Sequence, residues 1–130
     1  MSAEEQNSPL SGLHCLIVED EFLIAVDYER ILQSAGAARV VAARDLASAR
    51  DALVKAGPFD LVVLDMNLDG ESTLPLAREL IAAQTPFVFI TGYSVKTAMP
   101  DDLVTAVVLE KPFEERTLIT TLARIAKPAR

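Results

Sequence analysis

Short, unbroken apolar runs alternate with helical patterns along this chain, and this alternation restricts the fold more than any other feature. The runs are continuous rather than mixed with polar residues, which is typical of strands buried on both faces of a parallel sheet. The pattern therefore predicts an α/β fold, a doubly wound five-stranded parallel sheet of (βα)5 topology with helices on both faces. The predicted strands are His14–Val18, Arg39–Ala42, Leu61–Leu64, Phe87–Ile90 and Ala106–Leu109.

The segments between the runs carry amphipathic helical periodicity. Asp45 is a candidate N-cap for the second helix, which ends before Gly57-Pro58. The third begins near Ser72 or Thr73 and runs to about Ala83. The segment Gly92–Leu103 has few apolar side chains to hold it in place, so we predict a short or labile fourth helix there.

Composition excludes several functional classes. The 12 basic and 19 acidic residues give a net charge of −7, which disfavours direct binding to nucleic acid. The longest apolar run, Phe22–Val26, is far shorter than the roughly 20 residues that span a bilayer. With one cysteine, Cys15, and one histidine, His14, the chain offers neither an internal disulfide nor a Cys- or His-rich metal site.

The sequence predicts a single domain. Residues 1–12 are polar and lack the features of a signal peptide, so we expect a flexible N-terminal tail before a domain at 13–130 and a cytoplasmic location. The sequence ends shortly beyond the last predicted helix, and we expect a monomer without an output domain.

Polar groups follow four of the predicted strands. Glu19 and Asp20 follow the first, Asp65 the third, Thr91 the fourth and Lys111 the fifth. In an open parallel sheet, ligands bind at the carboxyl ends of the strands, where the strand order reverses. These side chains are therefore candidates for one site.

The chemistry of these groups is complementary. Asp20 and Asp65 at neighbouring strand ends would repel each other unless a cation such as Mg²⁺ lay between them. Asp65 is the candidate phosphoacceptor, because an aspartate can attack a phosphoryl group and this one ends the central strand. Lys111 and the Thr91 hydroxyl could then stabilise the phosphoryl oxygens. Each residue alone could be a cap or turn residue; their joint placement favours a site.

In these residues the chain resembles the receiver domains of bacterial two-component response regulators. The resemblance covers Leu13 to about Lys127 and rests on Glu19-Asp20, Asp65, Thr91 and Lys111-Pro112-Phe113. It implies a flavodoxin-like sheet with strand order 2-1-3-4-5. The loop Phe89–Ser94 is similar to that of the FAT GUY subgroup, single-domain receivers associated with alphaproteobacterial stress signalling and HWE-type kinases.

The resemblance also implies roles for the site residues. Asp65 would accept a phosphoryl group from a histidine kinase or from a phosphotransferase, and the subgroup similarity implies a kinase of the HWE type. Mg²⁺ or Mn²⁺ would be held by Asp65, directly by Asp20, mainly through water by Glu19, and by the backbone carbonyl of Asn67. Thr91 and Lys111 would respond to the phosphorylation of Asp65.

One position departs from the family pattern. Receivers usually carry Tyr or Phe three residues before the lysine, where this chain has Val108. The usual aromatic switch is therefore missing, and Tyr93 is a candidate substitute.

These observations predict a stand-alone response regulator that signals through an unidentified protein partner or through phosphate traffic. One alternative is a pseudo-receiver, the same fold used as a constitutive binding module. Another is a phosphatase with an aspartyl nucleophile. Such an enzyme needs a second Asp two residues after the nucleophile as its acid/base, and this chain has Asn67 there. We therefore expect no more than slow autodephosphorylation. Flavin binding is disfavoured because no Ser/Thr/Gly-rich phosphate loop follows the first strand.

Overall fold

Five parallel strands form the central sheet of the computed structural model, which describes residues 8–92 and 99–126. The strands are β1 (His14–Val18), β2 (Arg39–Ala43), β3 (Leu61–Asp65), β4 (Phe87–Thr91) and β5 (Val108–Glu110). Their order in the sheet is β2-β1-β3-β4-β5, and every neighbouring pair is parallel. The predicted doubly wound sheet and its 2-1-3-4-5 order are thus confirmed.

Helices cover both faces of this sheet. They are α1 (Phe22–Ser34), α2 (Leu46–Lys55), α3 (Leu74–Ala82) and α4 (Glu115–Ile125). α1 and α4 pack against one face, where Ile17 and Val63 belong to the same buried cluster as Leu32 and Leu118. α2 and α3 pack against the other face, around the fully buried Phe89. None of the helices in the described ranges is long and apolar enough to cross a membrane.

The helix starts and ends follow local sequence signals. Asp45 caps α2 as predicted, because its Oδ1 accepts a hydrogen bond from the Ser48 N–H at 2.7 Å. Gly36 follows α1 with φ +101°, and a Cβ there would lie 2.5 Å from the Cβ of Ser8. Only glycine therefore fits this turn without a shift of the neighbouring chain.

The packed domain begins earlier than the predicted boundary at residue 13. Leu10 is fully buried among the residues under α1, and its N–H donates to the Ala35 carbonyl at 2.9 Å. The Gly12 N–H donates to the Gly36 carbonyl at 3.3 Å. Residues 8–12 are thus not part of a flexible tail, because one apolar side chain in a polar stretch fills the end of the core.

The region between β4 and β5 differs in detail from the prediction. Residues 93–98, which hold much of the predicted fourth helix, lie outside the described residues. A 3-10 turn follows at Asp101–Leu103, with Leu103 fully buried. The Ala106 N–H still donates to the Leu103 carbonyl at 3.0 Å, so β5 begins at Val108 rather than at Ala106.

Candidate functional site

Three carboxylates meet at the carboxyl edge of the sheet, where the strand order reverses between β1 and β3. Val18 pairs with Leu64, so Glu19 and Asp65 follow paired positions on neighbouring strands, and Asp20 comes next after Glu19. Glu19, Asp20 and Asp65 each offer an oxygen that lies within 4.8 Å of the other two. The structure thus brings together the three acidic residues that the sequence singles out.

Glu19 is the buried member of this cluster. Its Oε2 accepts a hydrogen bond from the Glu21 N–H at 3.1 Å, whereas Oε1 is buried and accepts none. Burial raises the pKa of Glu19 to about 7, the Glu21 N–H opposes this shift, and the charge of Asp65 adds to it. Because Oε1 accepts no hydrogen bond and lies beside two further carboxylates, the cluster attracts positive charge.

Lys111 and Thr91 lie at the same edge. The Lys111 ammonium lies 3.8 Å from Glu19 Oε1. The Lys111 N–H donates to the Thr91 carbonyl at 2.7 Å, which ties the ends of β4 and β5 together. Thr91 is buried and lies one residue beyond Ile90, the residue paired with Asp65. All four predicted strand ends therefore contribute to one region.

A small hairpin, Asn67–Leu68 paired with Glu71–Ser72, follows Asp65 directly. The Asn67 N–H donates to Asp65 Oδ1 at 3.1 Å, and Asn67 Oδ1 accepts from the Gly70 N–H at 2.7 Å. Asp69 and Gly70 both have positive φ, at 50° and 90°. The Asp-Gly dipeptide signals a turn of this kind, but the two-residue strands beside it were not predicted.

Thr73 contacts the phosphoacceptor candidate, and sequence reasoning missed this role. It is fully buried, and its hydroxyl donates to the Asp65 carbonyl at 2.6 Å. The sequence marks Thr73 only as a possible helix start. No spacing rule identifies a hydroxyl that turns back to a strand eight residues earlier.

Of the two switch candidates, the structure describes Val108 but not Tyr93. Val108 is half-buried, pairs with Phe89 in the sheet and packs on the α2–α3 side. Tyr93 lies outside the described residues, so its predicted role as a substitute switch stays a prediction.

The residues present fit a hard divalent cation. Mg²⁺ prefers all-oxygen coordination from one or two carboxylates and water, and this cluster offers carboxylate oxygens, one of which accepts no hydrogen bond. Metals that prefer sulfur or nitrogen would need cysteine or histidine ligands, and neither belongs to the cluster.

A groove of about 490 Å³, lined by apolar residues with charged residues among them, lies beside Lys111 between α1 and the start of α4. The Tyr28 and Phe113 rings stack across it with centroids 6.4 Å apart. At the start of α1, Phe22 and Leu23 are 77% and 80% exposed. The acidic cluster is thus flanked by apolar surface.

The chain is similar to known proteins in sequence and to solved structures in fold. The chain is 31% identical over 101 residues to the phyllosphere-induced regulator PhyR of Methylorubrum extorquens, covering 76% of this chain and 38% of PhyR. It is 37% identical to the solved SdrG of Sphingomonas melonis, with a TM-score of 0.72 over 91% of this chain and 98% of that one. The Vibrio cholerae chemotaxis regulator CheY4 gives 27% identity and a TM-score of 0.76, covering 88% of this chain and 99% of that one.

The chain spans between 14% and 48% of the length of the curated relatives it matches. The response regulator receiver domain matches residues 15–123, which contain every acidic, hydroxyl and lysine residue of the site. On the strength of this match, the chain belongs to the response regulator receiver domain family.

Proposed function

We propose that this protein is a stand-alone response regulator that accepts a phosphoryl group on Asp65 in a Mg²⁺-dependent reaction. The donor is a phosphohistidine of a histidine kinase or a phosphotransferase. An Asp65 carboxylate oxygen attacks phosphorus, the bond to the donor nitrogen breaks, and the phosphoryl group moves to Asp65. Output is a protein–protein contact that depends on phosphorylation, or the return of phosphate to another kinase.

One observation carries this proposal: the approach of Glu19, Asp20 and Asp65 to within 4.8 Å beside Lys111. Phosphoryl transfer needs neutralisation of charge on the equatorial oxygens more than covalent machinery. The Lys111 ammonium and the Thr91 hydroxyl act on those oxygens. Asp20, Asp65 and the Asn67 carbonyl would hold Mg²⁺ or Mn²⁺ directly, and Glu19 mainly through water. The bound cation supplies the remaining positive charge.

The proposal also covers the subgroup, the pathway and the phosphoryl donor of this protein. The loop Phe89–Ser94 resembles that of the FAT GUY subgroup and supports membership of it. We therefore propose a bacterial, cytoplasmic monomer in stress signalling, with a histidine kinase of the HWE type as donor. The exposed Phe22 and Leu23 beside the site suit a protein donor.

The protein acts as a phosphoacceptor rather than as a turnover enzyme. Asn67 occupies the position two residues after Asp65, and an amide cannot shuttle protons. Hydrolysis of phospho-Asp65 then depends on unassisted water and is slow.

The test is to incubate the full chain with acetyl phosphate and Mg²⁺ and to measure its intact mass. We expect one added phosphoryl group on the wild type, none after Asp65→Asn, and none when EDTA removes the cation. No added mass on the wild type, or equal labelling of Asp65→Asn, would overturn the proposal and favour a pseudo-receiver.

A further inference from the structure

Thr73 uses its side chain in an unusual way for the residue that begins a helix. As the N-cap of α3, its carbonyl accepts the Ala77 N–H at 3.0 Å. An N-cap threonine ordinarily turns its hydroxyl onto the N–H groups of its own helix. Thr73 makes no such bond; its hydroxyl instead donates to the Asp65 carbonyl at 2.6 Å.

A second bond joins the same two segments. The Thr73 N–H donates to the Met66 carbonyl at 3.2 Å. One residue therefore holds two consecutive carbonyls, that of Asp65 at the end of β3 and that of Met66. Thr73 is fully buried, which makes loss of either bond costly because water cannot replace the donor. These two bonds close residues 66–72 into a loop with fixed ends.

That loop contains the backbone that serves the site. The Asn67 N–H, two residues after Asp65, donates to Asp65 Oδ1 at 3.1 Å. The Asn67 carbonyl is the proposed third protein ligand of the cation. Thr73 holds the main-chain conformation of this segment. Both the orientation of the Asp65 carboxylate and the position of the Asn67 carbonyl therefore depend on it.

We propose that Thr73 is a positioning residue of the phosphorylation site, whose buried hydroxyl holds the main chain of Asp65–Asn67 in the conformation that binds a divalent cation. The effect of Thr73 on phosphorylation rests on the function proposed above. Its effect on cation binding does not depend on that function. Groups that orient metal ligands typically change metal affinity by about 10–100-fold when removed.

The experiment compares Thr73→Val, which keeps the shape of the side chain, with Thr73→Ser, which keeps the hydroxyl. Mg²⁺ affinity is measured by calorimetry, and the phosphorylation rate is measured with acetyl phosphate at saturating Mg²⁺. We expect Thr73→Val to weaken Mg²⁺ binding by about tenfold or more and to slow phosphorylation. Thr73→Ser should restore both to near wild-type values.

Thr121→Val is the matched control, because Thr121 is also a buried threonine but lies on α4. It should leave the Mg²⁺ affinity within about twofold of wild type, well below the change expected for an orienting group. If Thr73→Val does not fold, Thr73→Ala replaces it, since this change removes the hydroxyl without adding a methyl group against the Asp65 carbonyl.

A folded Thr73→Val or Thr73→Ala with wild-type Mg²⁺ affinity would overturn the proposal, as would a wild type that binds no Mg²⁺. A Thr73→Ser variant as weak as Thr73→Val would also overturn it. If Mg²⁺ binds the wild type and weakens as expected, but acetyl phosphate adds no mass, the phosphoacceptor function fails while the positioning role stands.

Discussion

The Lys111 ammonium lies 3.8 Å from Glu19 Oε1, and the two side chains differ in exposure, 34% for Lys111 and 1% for Glu19. The same Glu19 oxygen accepts no hydrogen bond. Lys111 therefore partly compensates a buried negative charge when no cation is bound. A divalent cation in the cluster would compete with Lys111 for this charge, and phosphorylation would offer the ammonium a new anionic partner.

Replacing Lys111 with alanine should tighten Mg²⁺ binding. Loss of the ammonium leaves the cluster more negative, and a partly exposed ion pair contributes about 0.2–1 kcal/mol, which corresponds to up to about fivefold in affinity. Calorimetric titration with Mg²⁺ measures the change. Lys55→Ala, which removes a lysine paired with Asp51 on α2, is the control and should leave the affinity unchanged. Weaker binding to Lys111→Ala would contradict this account.

Replacing Asp20 with asparagine should stabilise the metal-free protein and abolish its response to Mg²⁺. Relief of repulsion between carboxylates within 4.8 Å should add about 1 kcal/mol to the free energy of unfolding. The wild type should gain about 2.7 kcal/mol at a Mg²⁺ concentration 100 times the Kd. Urea unfolding with Mg²⁺ and with EDTA measures both effects.

Asp101→Asn removes the same charge from the 3-10 turn before β5 and serves as the control for Asp20→Asn. It should neither stabilise the metal-free protein to the same extent nor reduce the Mg²⁺ response. Equal behaviour of the two variants would show that net charge, rather than the cluster, governs stability.

Cys15 should be unreactive in the folded protein. Its side chain is fully buried in β1, and burial, aided by the charge of Asp60, raises the pKa of Cys15 to about 12. A thiol-specific reagent at mildly alkaline pH should label the chain only after unfolding. Since this is the single cysteine in the sequence, the signal is unambiguous, and rapid labelling of the native protein would contradict the prediction.

The same pKa difference predicts a loss of stability at high pH. The folded-state pKa of Cys15 lies above the ordinary value of 9.0, so its contribution is fully present below pH 9 and is lost as the unfolded chain ionises. The free energy of unfolding should fall by up to about 1.4 kcal/mol per pH unit above that value. The difference between wild type and Cys15→Ala across this range isolates the contribution.

Replacing Asp45 with alanine should destabilise the fold by about 1 kcal/mol. Asp45 Oδ1 accepts the Ser48 N–H at 2.7 Å, and the Asp45 N–H donates to Ser48 Oγ at 3.2 Å, so alanine breaks a reciprocal cap. Asp45→Asn, which keeps a capping oxygen, should remain near wild type in urea unfolding. An equal loss for both variants would indicate that charge rather than capping matters.

Local sequence was sufficient to predict the sheet and the position of the acidic residues on it. Leu61–Leu64 is continuous and apolar, so it predicted a central buried strand, and Asp65 at its end had to face the carboxyl edge. The same reasoning placed Glu19 and Asp20 at the end of the first strand, and the family resemblance made that strand the neighbour of the third. It was less accurate for β5, which begins at Val108, because the apolar Ala106 and Val107 could equally belong to the turn that precedes it.

The sequence by itself determined the strand order, through a family resemblance, and the set of residues at the site, through their positions after apolar runs. Only the tertiary structure decided the pairing of Lys111 with Glu19, the burial of Leu10 and the bond from Thr73 to Asp65. The physical reason is that these features depend on contacts between residues far apart in the sequence. Burial and hydrogen bonding depend on which groups the fold brings within about 3–4 Å, whereas periodicity reports only which face of its own element a residue occupies.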